Sequence, residues 1–485
     1  MGKIAKNYVY TAAYQILVLI APIVTAPYLA RVLGADHLGI YSYINSSGNI
    51  ITTLSLLGIY AYGNRQTAYV RENRQELTSV FWELETARLF LGIAGTGVYV
   101  LYAVLNSKYC GYFFIYYPYI LAQFIDCSWV YVGLEDMKPA VLKNFAAKLL
   151  NIIGIFLLVK TEEDLWIYIL LLALTAFVAN LSIYTQLPKY VGKPKVALRR
   201  IPSHLKGSVF LFLPQVAALL YLQVDKVMLE WMTGTTREIS FYDQAEKIVT
   251  IPLSLLTVLS TVMMPRIANE YKKKNPKEIR RLLLWAGRAV LCLAMPMMLG
   301  MFCIAGQFIP WYLGKEFLPT ATAIRVLTPI ILLNSLAGIS GNQYFTATDQ
   351  VSVLLKAYVT AALLNIGVNV LLIPVWGNTG AAVATVLSSL CSVLIQYRCL
   401  QKQIDLKVLW GYAIRYSAGA GLMAGILWIL GHGMQAAAKT TAIQIIVGVA
   451  VYIIYLVFIK DDTIGEIWKM FRHRKTGAEG RADHV

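Results

Sequence analysis

Apolar runs of about twenty residues recur along this chain from one end to the other, and that is the length a helix needs to cross the hydrocarbon core of a bilayer. The runs are 8–30, 40–62, 79–105, 112–134, 141–159, 165–187, 208–230, 241–264, 281–304, 321–345, 353–375, 379–400, 410–431 and 441–459. Composition leaves few alternatives. Of 485 residues, 58% are hydrophobic and 14% charged, against about 45–50% and about 25% in soluble domains. A soluble protein of this size cannot hide so much apolar surface. The predicted fold class is all-α and integral to the membrane, with about 14 transmembrane helices. Lys3 and Lys6 precede a first run long enough to span, so it reads as a retained helix and not as a cleaved signal.

The net charge of +17 is spread through short loops between the runs, which points to a membrane orientation signal and not to a nucleic-acid surface. With the N-terminus inside, cytoplasmic segments collect about thirty Lys and Arg and the outer loops about six. The densest inner loops are 188–206, with Lys189, Lys193, Lys195, Arg199, Arg200 and Lys206, and 265–281, with Arg266, Lys272, Lys273, Lys274, Lys277, Arg280 and Arg281. Both termini are therefore expected in the cytoplasm, and the protein in the cytoplasmic membrane. Over 461–471, Ile464, Ile467, Trp468 and Phe471 share one helical face beside basic residues, which predicts a helix lying on the inner membrane surface. The residues after it read as disordered.

Enzyme chemistry finds no support. Six scattered cysteines show no CxxC or CxxH spacing, and the five histidines lie in loops or the tail. No phosphate-binding glycine loop or nucleophile elbow occurs, so no cofactor or metal is expected. What remains is binding and release within the membrane.

The two halves echo each other. Tyr41 and Tyr242, Arg65 and Arg266, and Arg88 and Arg288 each recur about two hundred residues apart, and Leu149-Leu150-Asn151-Ile152 returns as Leu363-Leu364-Asn365-Ile366. Six spans thus repeat as six in the same orientation, followed by two more. Parallel repeats of this kind are a transporter signature. The expected organisation is an N-lobe over 1–187, a basic linker over 188–207, a C-lobe over 208–400, two further spans over 401–459, and a cytoplasmic surface helix and tail over 460–485. The lobes should be pseudo-symmetric.

Charges inside the runs carry the functional information, because each is costly unless paired or hydrated. Arg88 lies about nine residues into the third run, ~13 Å at helical rise, and Asp126 lies at matching depth in the fourth, with Lys148 in the fifth. They read either as a polar cluster lining a cavity or as an Arg88–Asp126 pair locking two helices. Arg65, Arg266, Arg88 and Arg288 form two repeat-related pairs, and guanidinium forks suit a diphosphate head group. The alternative is anchoring of helix ends at the inner interface. Asp225, Lys226 and Glu230 with Asp243, Glu246 and Lys247 make a second cluster, in which Lys226–Glu230 and Asp243–Lys247 are i, i+4 pairs. This cluster reads as a gate, an ion-coupling site or a structural latch. Glu83 and Glu85 read as interfacial. Pro22, Pro27, Pro214 and Pro252 mark points where helices can bend.

Tyr28-Leu29-Ala30-Arg31-Val32-Leu33-Gly34-Ala35 followed by Gly39-Ile40-Tyr41 resembles the first-to-second-span segment of Wzx-type polysaccharide repeat-unit flippases. Ser128-Trp129-Val130-Tyr131-Val132-Gly133-Leu134-Glu135 is similar to their SWFFxGLE segment, with two aromatics replaced or shifted. Gln223-Val224-Asp225-Lys226 and Phe241-Tyr242-Asp243-Gln244-Ala245-Glu246-Lys247 resemble their seventh-to-eighth-span signature, and Gly377-Asn378-Thr379-Gly380-Ala381-Ala382 their YGxxGA turn. The resemblance implies the MOP exporter superfamily: two six-helix lobes around a central cavity, often with two further helices. It also implies transfer of an undecaprenyl-diphosphate-linked oligosaccharide from the inner to the outer leaflet for cell-surface polysaccharide synthesis. The charges within the runs and at their ends assign Arg88, Arg288, Lys148, Arg65, Arg266 and Arg31 to the head group, and Asp126, Asp225, Lys226, Asp243 and Lys247 to gating or coupling. Membrane lipids and polysaccharide assembly proteins would be its partners.

Two rivals remain. A multidrug or cation antiporter of the same superfamily would need acidic groups at its site, against the deep Arg and Lys found here. A membrane-embedded polysaccharide polymerase or ligase would need a substantial outer loop, and none is expected.

Overall fold

The computed structural model describes residues 3–194, 196–461, 463 and 465. The surface-helix expectation over 461–471 falls mostly outside the described residues, as do Lys195 and the side chain of Pro214.

The described chain is all-helical: α1 (Lys3–Leu56), α2 (Ile59–Val70), α3 (Arg74–Leu105), α4 (Cys110–Phe124), α5 (Ser128–Gly133), α6 (Lys138–Leu158), α7 (Leu165–Ser182), α8 (Ile201–Thr233), α9 (Arg237–Lys272), α10 (Pro276–Tyr312), α11 (Leu318–Leu327), α12 (Pro329–Gly338), α13 (Val351–Gln401), α14 (Val408–His432) and α15 (Ala438–Phe458). Helix starts follow capping chemistry. The Asn73 side chain accepts from the amides of Gln75 and Glu76 at the head of α3, and Asn275 accepts from the Glu278 amide ahead of Pro276 in the first turn of α10.

Among the described residues, 8 helices are long and apolar enough to cross a membrane, or 9 if the pair Lys315–Leu327 and Pro329–Phe345, bent by 45°, counts as one. Two of these are too long for a single crossing. Ala13–Leu56 has 44 residues and Val351–Gln401 has 51, each at ~1.5 Å per residue more than twice the length of a ~30 Å hydrocarbon core. Each is broken at a glycine, Gly34 (φ 70, ψ 178) and Gly377 (φ 51, ψ −128), in backbone regions that a Cβ disfavours. The breaks fall between the first and second sequence runs and between the eleventh and twelfth. The fourth run is not continuous: α4 ends at Phe124 and α5 begins at Ser128.

The exterior is inverted relative to a soluble protein. Leu89, Phe90, Ile93, Leu101 and Leu105 on α3, and Ile446, Ile454, Val457 and Phe458 on α15, are exposed, while Glu83 and Arg88 of α3 are buried. This is the distribution of a multi-pass membrane protein, with lipid as the outer solvent.

The chain divides into two compact units, residues 1–243 and 244–485. In the first, α8 packs on α1, α2 and α3, and α4 on α7. An aromatic core around Phe81, Trp129 and Tyr131 fills the space beside α5. In the second, α10 packs on α14, and α14 on α15.

Candidate functional site

The charges flagged within the runs are resolved here into named partners. In the first unit they organise around the break between α4 and α5. Asp126 there accepts from the Ser128 amide at 3.0 Å and from its hydroxyl, a local turn that starts α5. Its ion partner is Lys143 of α6 at 2.7 Å, and Lys143 also donates to Asn180 of α7. Asn180 in turn donates to the Ala122 carbonyl. Arg88 pairs with Glu85 at 2.6 Å and donates to the Gln123 and Phe124 carbonyls, which the end of α4 leaves without helical partners. Tyr184 donates to Glu85 and to the Ile125 carbonyl. Arg88 and Asp126 thus sit in one neighbourhood, but each takes another ion partner.

Glu83 is corrected from interfacial to fully buried, at 0% exposure. His204 Nε2 lies 2.9 Å from its carboxylate, Arg200 lies at 4.0 Å, and the Ser79 hydroxyl donates to it at 2.9 Å. Tyr62 of α2 meets the other ring nitrogen of His204 at 3.2 Å. Glu85 is likewise drawn inward by Arg88 and is not a solvated charge.

The cluster on α8 and α9 pairs across helices, with Asp225, Lys226, Glu230 and Asp243 in the first unit and Glu246 and Lys247 past its end. Lys226 meets Asp243 at 2.6 Å, and the Ser42 hydroxyl donates to the same carboxylate at 2.8 Å. Tyr242 donates to Asp225 at 2.8 Å, and Glu230 lies 3.9 Å from Lys108. All three charges, Asp225, Lys226 and Asp243, are buried. Lys247 is exposed.

In the second unit, Arg288 turns toward the last two helices. It pairs with Asp461 at 3.2 Å, donates to the Tyr416 hydroxyl and covers the Tyr412 ring at 5.2 Å. Asp461 also accepts from Tyr416 at 3.0 Å and lies 3.7 Å from Arg415. Just past α15, its carboxyl is pushed up by burial. The Thr463 hydroxyl and amide, Tyr416 and Arg288 outweigh that and hold it below the usual carboxylate range.

Of the remaining sequence-flagged cations, Arg31, Arg65 and Arg266 are exposed and Lys148 is half-buried. Sequence reasoning missed Lys143, Asn180, His204, Tyr416 and Asp461. An Asp-x-Ser step at 126–128 was a signal for the helix break; nothing comparable marked Asp461.

The second unit also holds an apolar cavity of about 510 Å³ between α9, α10, α14 and α15, lined among others by Pro252, Met297, Phe308, Leu427, Ile445 and Val449. Among the described residues, no group of three or more His, Cys, Asp or Glu is arranged to hold a metal ion.

Known proteins resemble the chain in sequence and in fold. The family described as "Polysaccharide biosynthesis protein" matches residues 4–270, and that described as "Lipid II flippase MurJ" matches residues 140–448. The "Putative O-antigen transporter" of Escherichia coli (strain K12) is 22% identical over 403 residues, covering 81% of this chain and 95% of that protein. A solved lipid II flippase MurJ in an inward closed conformation superposes with a TM-score of 0.70 at 17% identity, covering 94% of this chain and 99% of that one. An inward-facing multidrug resistance transporter of the MATE family, in the MOP superfamily, gives 0.65 at 14% identity, covering 82% and 96%. At these identities the likeness is one of fold.

Proposed function

We infer the function from one premise: the chain belongs to the polysaccharide biosynthesis protein family, within the MOP superfamily, a family of transporters and not of enzymes. It is proposed to carry a lipid-linked glycan across the cytoplasmic membrane, as an undecaprenyl-diphosphate-linked oligosaccharide moved from the inner to the outer leaflet by alternating access. The observation carrying this reading is the alignment with 95% of the length of an O-antigen transporter homologue, on a fold like that of a lipid II flippase.

Physical chemistry supports it. A diphosphate cannot be dragged bare through hydrocarbon, so it needs cations along its path. Arg31, Arg65 and Arg266 are exposed and are the proposed first contacts, with the half-buried Lys148 as a further one. Arg88 and Arg288 would join only by exchanging Glu85 or Asp461 for phosphate. Asp126, Asp225, Lys226, Asp243 and Lys247 are assigned to gating or coupling. The polyprenyl tail suits the apolar cavity beside α14 and α15. Dividing α1 and α13 at their glycine breaks, and taking the bent pair, α4 with α5, α8 and α9 as one crossing each, gives the fourteen crossings proposed, with both termini inside. The lobes proposed are 1–187 and 208–400, with 401–459 as the added pair.

A cation antiporter is less well supported. Glu83, Glu85, Asp126, Asp243 and Asp461 each already have a basic partner, which leaves these carboxylates matched before any cation arrives. The test is reconstitution of the purified chain in liposomes with a fluorescent lipid-linked oligosaccharide. Translocation no faster than in protein-free liposomes would sink the proposal.

A further inference from the structure

The second half of α1 carries Tyr41, Asn45 and Asn49 four residues apart, on one helical face in the middle of a membrane-length segment. Aromatic rings surround them. Tyr41 meets the Tyr168 ring edge-on at 4.9 Å, and the Tyr116 and Tyr119 rings stack at 4.7 Å. Asn45 Oδ1 accepts from the Tyr116 hydroxyl at 2.8 Å and from Asn49 Nδ2 at 3.3 Å. Among the described residues, the side-chain atoms Asn45 Nδ2 and Asn49 Oδ1 have no hydrogen-bond partner. Tyr41, Asn45, Asn49 and Tyr119 are only half-buried, so amide edges and ring faces are open together.

The chemistry selects the ligand by elimination. Charged side chains sit next to the stripe, but they are matched: Ser42, beside Tyr41, donates to Asp243, which holds Lys226 at 2.6 Å. A phosphate would find Lys226 already matched, and a cationic compound would find Asp243 already matched. Rings that offer flat apolar faces, interleaved with amides that both donate and accept, suit a ligand with apolar C–H faces and a rim of hydroxyls. We propose that Tyr41, Asn45, Asn49 and Tyr119 form a subsite for the sugar rings of an uncharged oligosaccharide. This rests on the transport reading above and adds where the first unit holds the glycan, apart from the cations that hold the diphosphate.

The experiment uses the full chain in detergent and the polyprenyl-diphosphate oligosaccharide fraction extracted from the producing organism's membranes, intact or enzymatically stripped of its sugars. Binding is read as ligand-dependent stabilisation. The parental protein should bind intact lipid about tenfold more tightly than stripped lipid, and Asn45→Ala and Tyr41→Ala should erase that preference while binding stripped lipid as before. Tyr41→Phe keeps the ring and should retain most of it. Asn49→Ala is the second variant should Asn45→Ala fail to fold. A parental protein that binds both lipids equally, or variants that keep the preference, would overturn the subsite and leave the transport reading standing. Binding of neither lipid by the parental protein would overturn both.

Discussion

Arg88 and Arg288 hold equivalent places in the sequence repeat, yet the two units use them differently. In the first unit Arg88 is 3% exposed and closes a helix break, with Glu85 on one side and the last carbonyls of α4 on the other. In the second, Arg288 side-chain exposure is 20% and its partners come from α14 and the segment after α15: Tyr412, Tyr416 and Asp461. The first unit uses its arginine to mend its own interior. The second uses it to tie α10 to α14 and to the segment after α15. Equivalence of position therefore does not by itself carry equivalence of role, and the comparison can be attacked by mutation.

The largest expected effect is that of Arg88→Ala. It leaves Glu85 buried without its cation and two carbonyls without a donor, so unfolding in detergent should become easier by about 3–5 kcal/mol. Arg288→Ala should cost less, about 1–2 kcal/mol, because Arg415 remains 3.7 Å from Asp461. Arg88→Lys should recover only part of the loss, since an ammonium cannot span all three partners. Equal losses in Arg88→Ala and Arg288→Ala would break the contrast. Wild-type stability in Arg88→Ala, together with lost transport, would return Arg88 to the diphosphate.

An effect smaller than that of Arg88→Ala is expected at the two glycine breaks, one in each unit. Gly34→Ala and Gly377→Ala force a Cβ into backbone regions essentially reserved for glycine, at about 1–3 kcal/mol each. Similar drops in melting temperature would mark the breaks as a feature common to both halves of the repeat. A drop at one site alone would extend the asymmetry from side chains to backbone.

How much of this could be read beforehand follows the same divide. Membrane-length runs, the glycine turns at Gly34 and Gly377 and the cost of Arg88 and Asp126 inside apolar runs are properties of the sequence along one helix. Partner choice is not. Lys143 sits two residues inside its run and looks like an interfacial anchor, and His204 looks like part of a basic loop, until helix rotation turns both inward onto Asp126 and Glu83. Lys226 and Glu230 have the spacing of a pair along α8, yet Lys226 reaches across to Asp243 and Glu230 to Lys108. Asp461 lies past the last run, where nothing in hydropathy assigns it to an arginine more than 170 residues earlier.

The smallest effect, and the one most specific to the second unit, is the acid sensitivity of the Arg288–Asp461 attachment. The folded state lowers the Asp461 carboxyl below its ordinary value, because the Thr463, Tyr416 and Arg288 contacts outweigh the opposing effect of burial. A group lowered in the folded state contributes stability that is fully present above its ordinary pKa, about 4. That contribution declines as pH falls through the lowered value. It should therefore be intact at neutral pH and fade below about pH 4. Asp461→Asn removes the charge while keeping the shape, so its melting temperature at neutral pH should fall modestly and its decline between pH 5 and pH 3 should be shallower than that of the parental protein. Arg88 provides the control. Its partner Glu85 lies in the other unit, so the difference between Asp461→Asn and parental curves should persist in an Arg88→Lys background. Parallel curves for Asp461→Asn and the parental protein would mean that Asp461 does not titrate as part of this attachment, and that Arg415 and the packing of Tyr416 hold the last two helices without it.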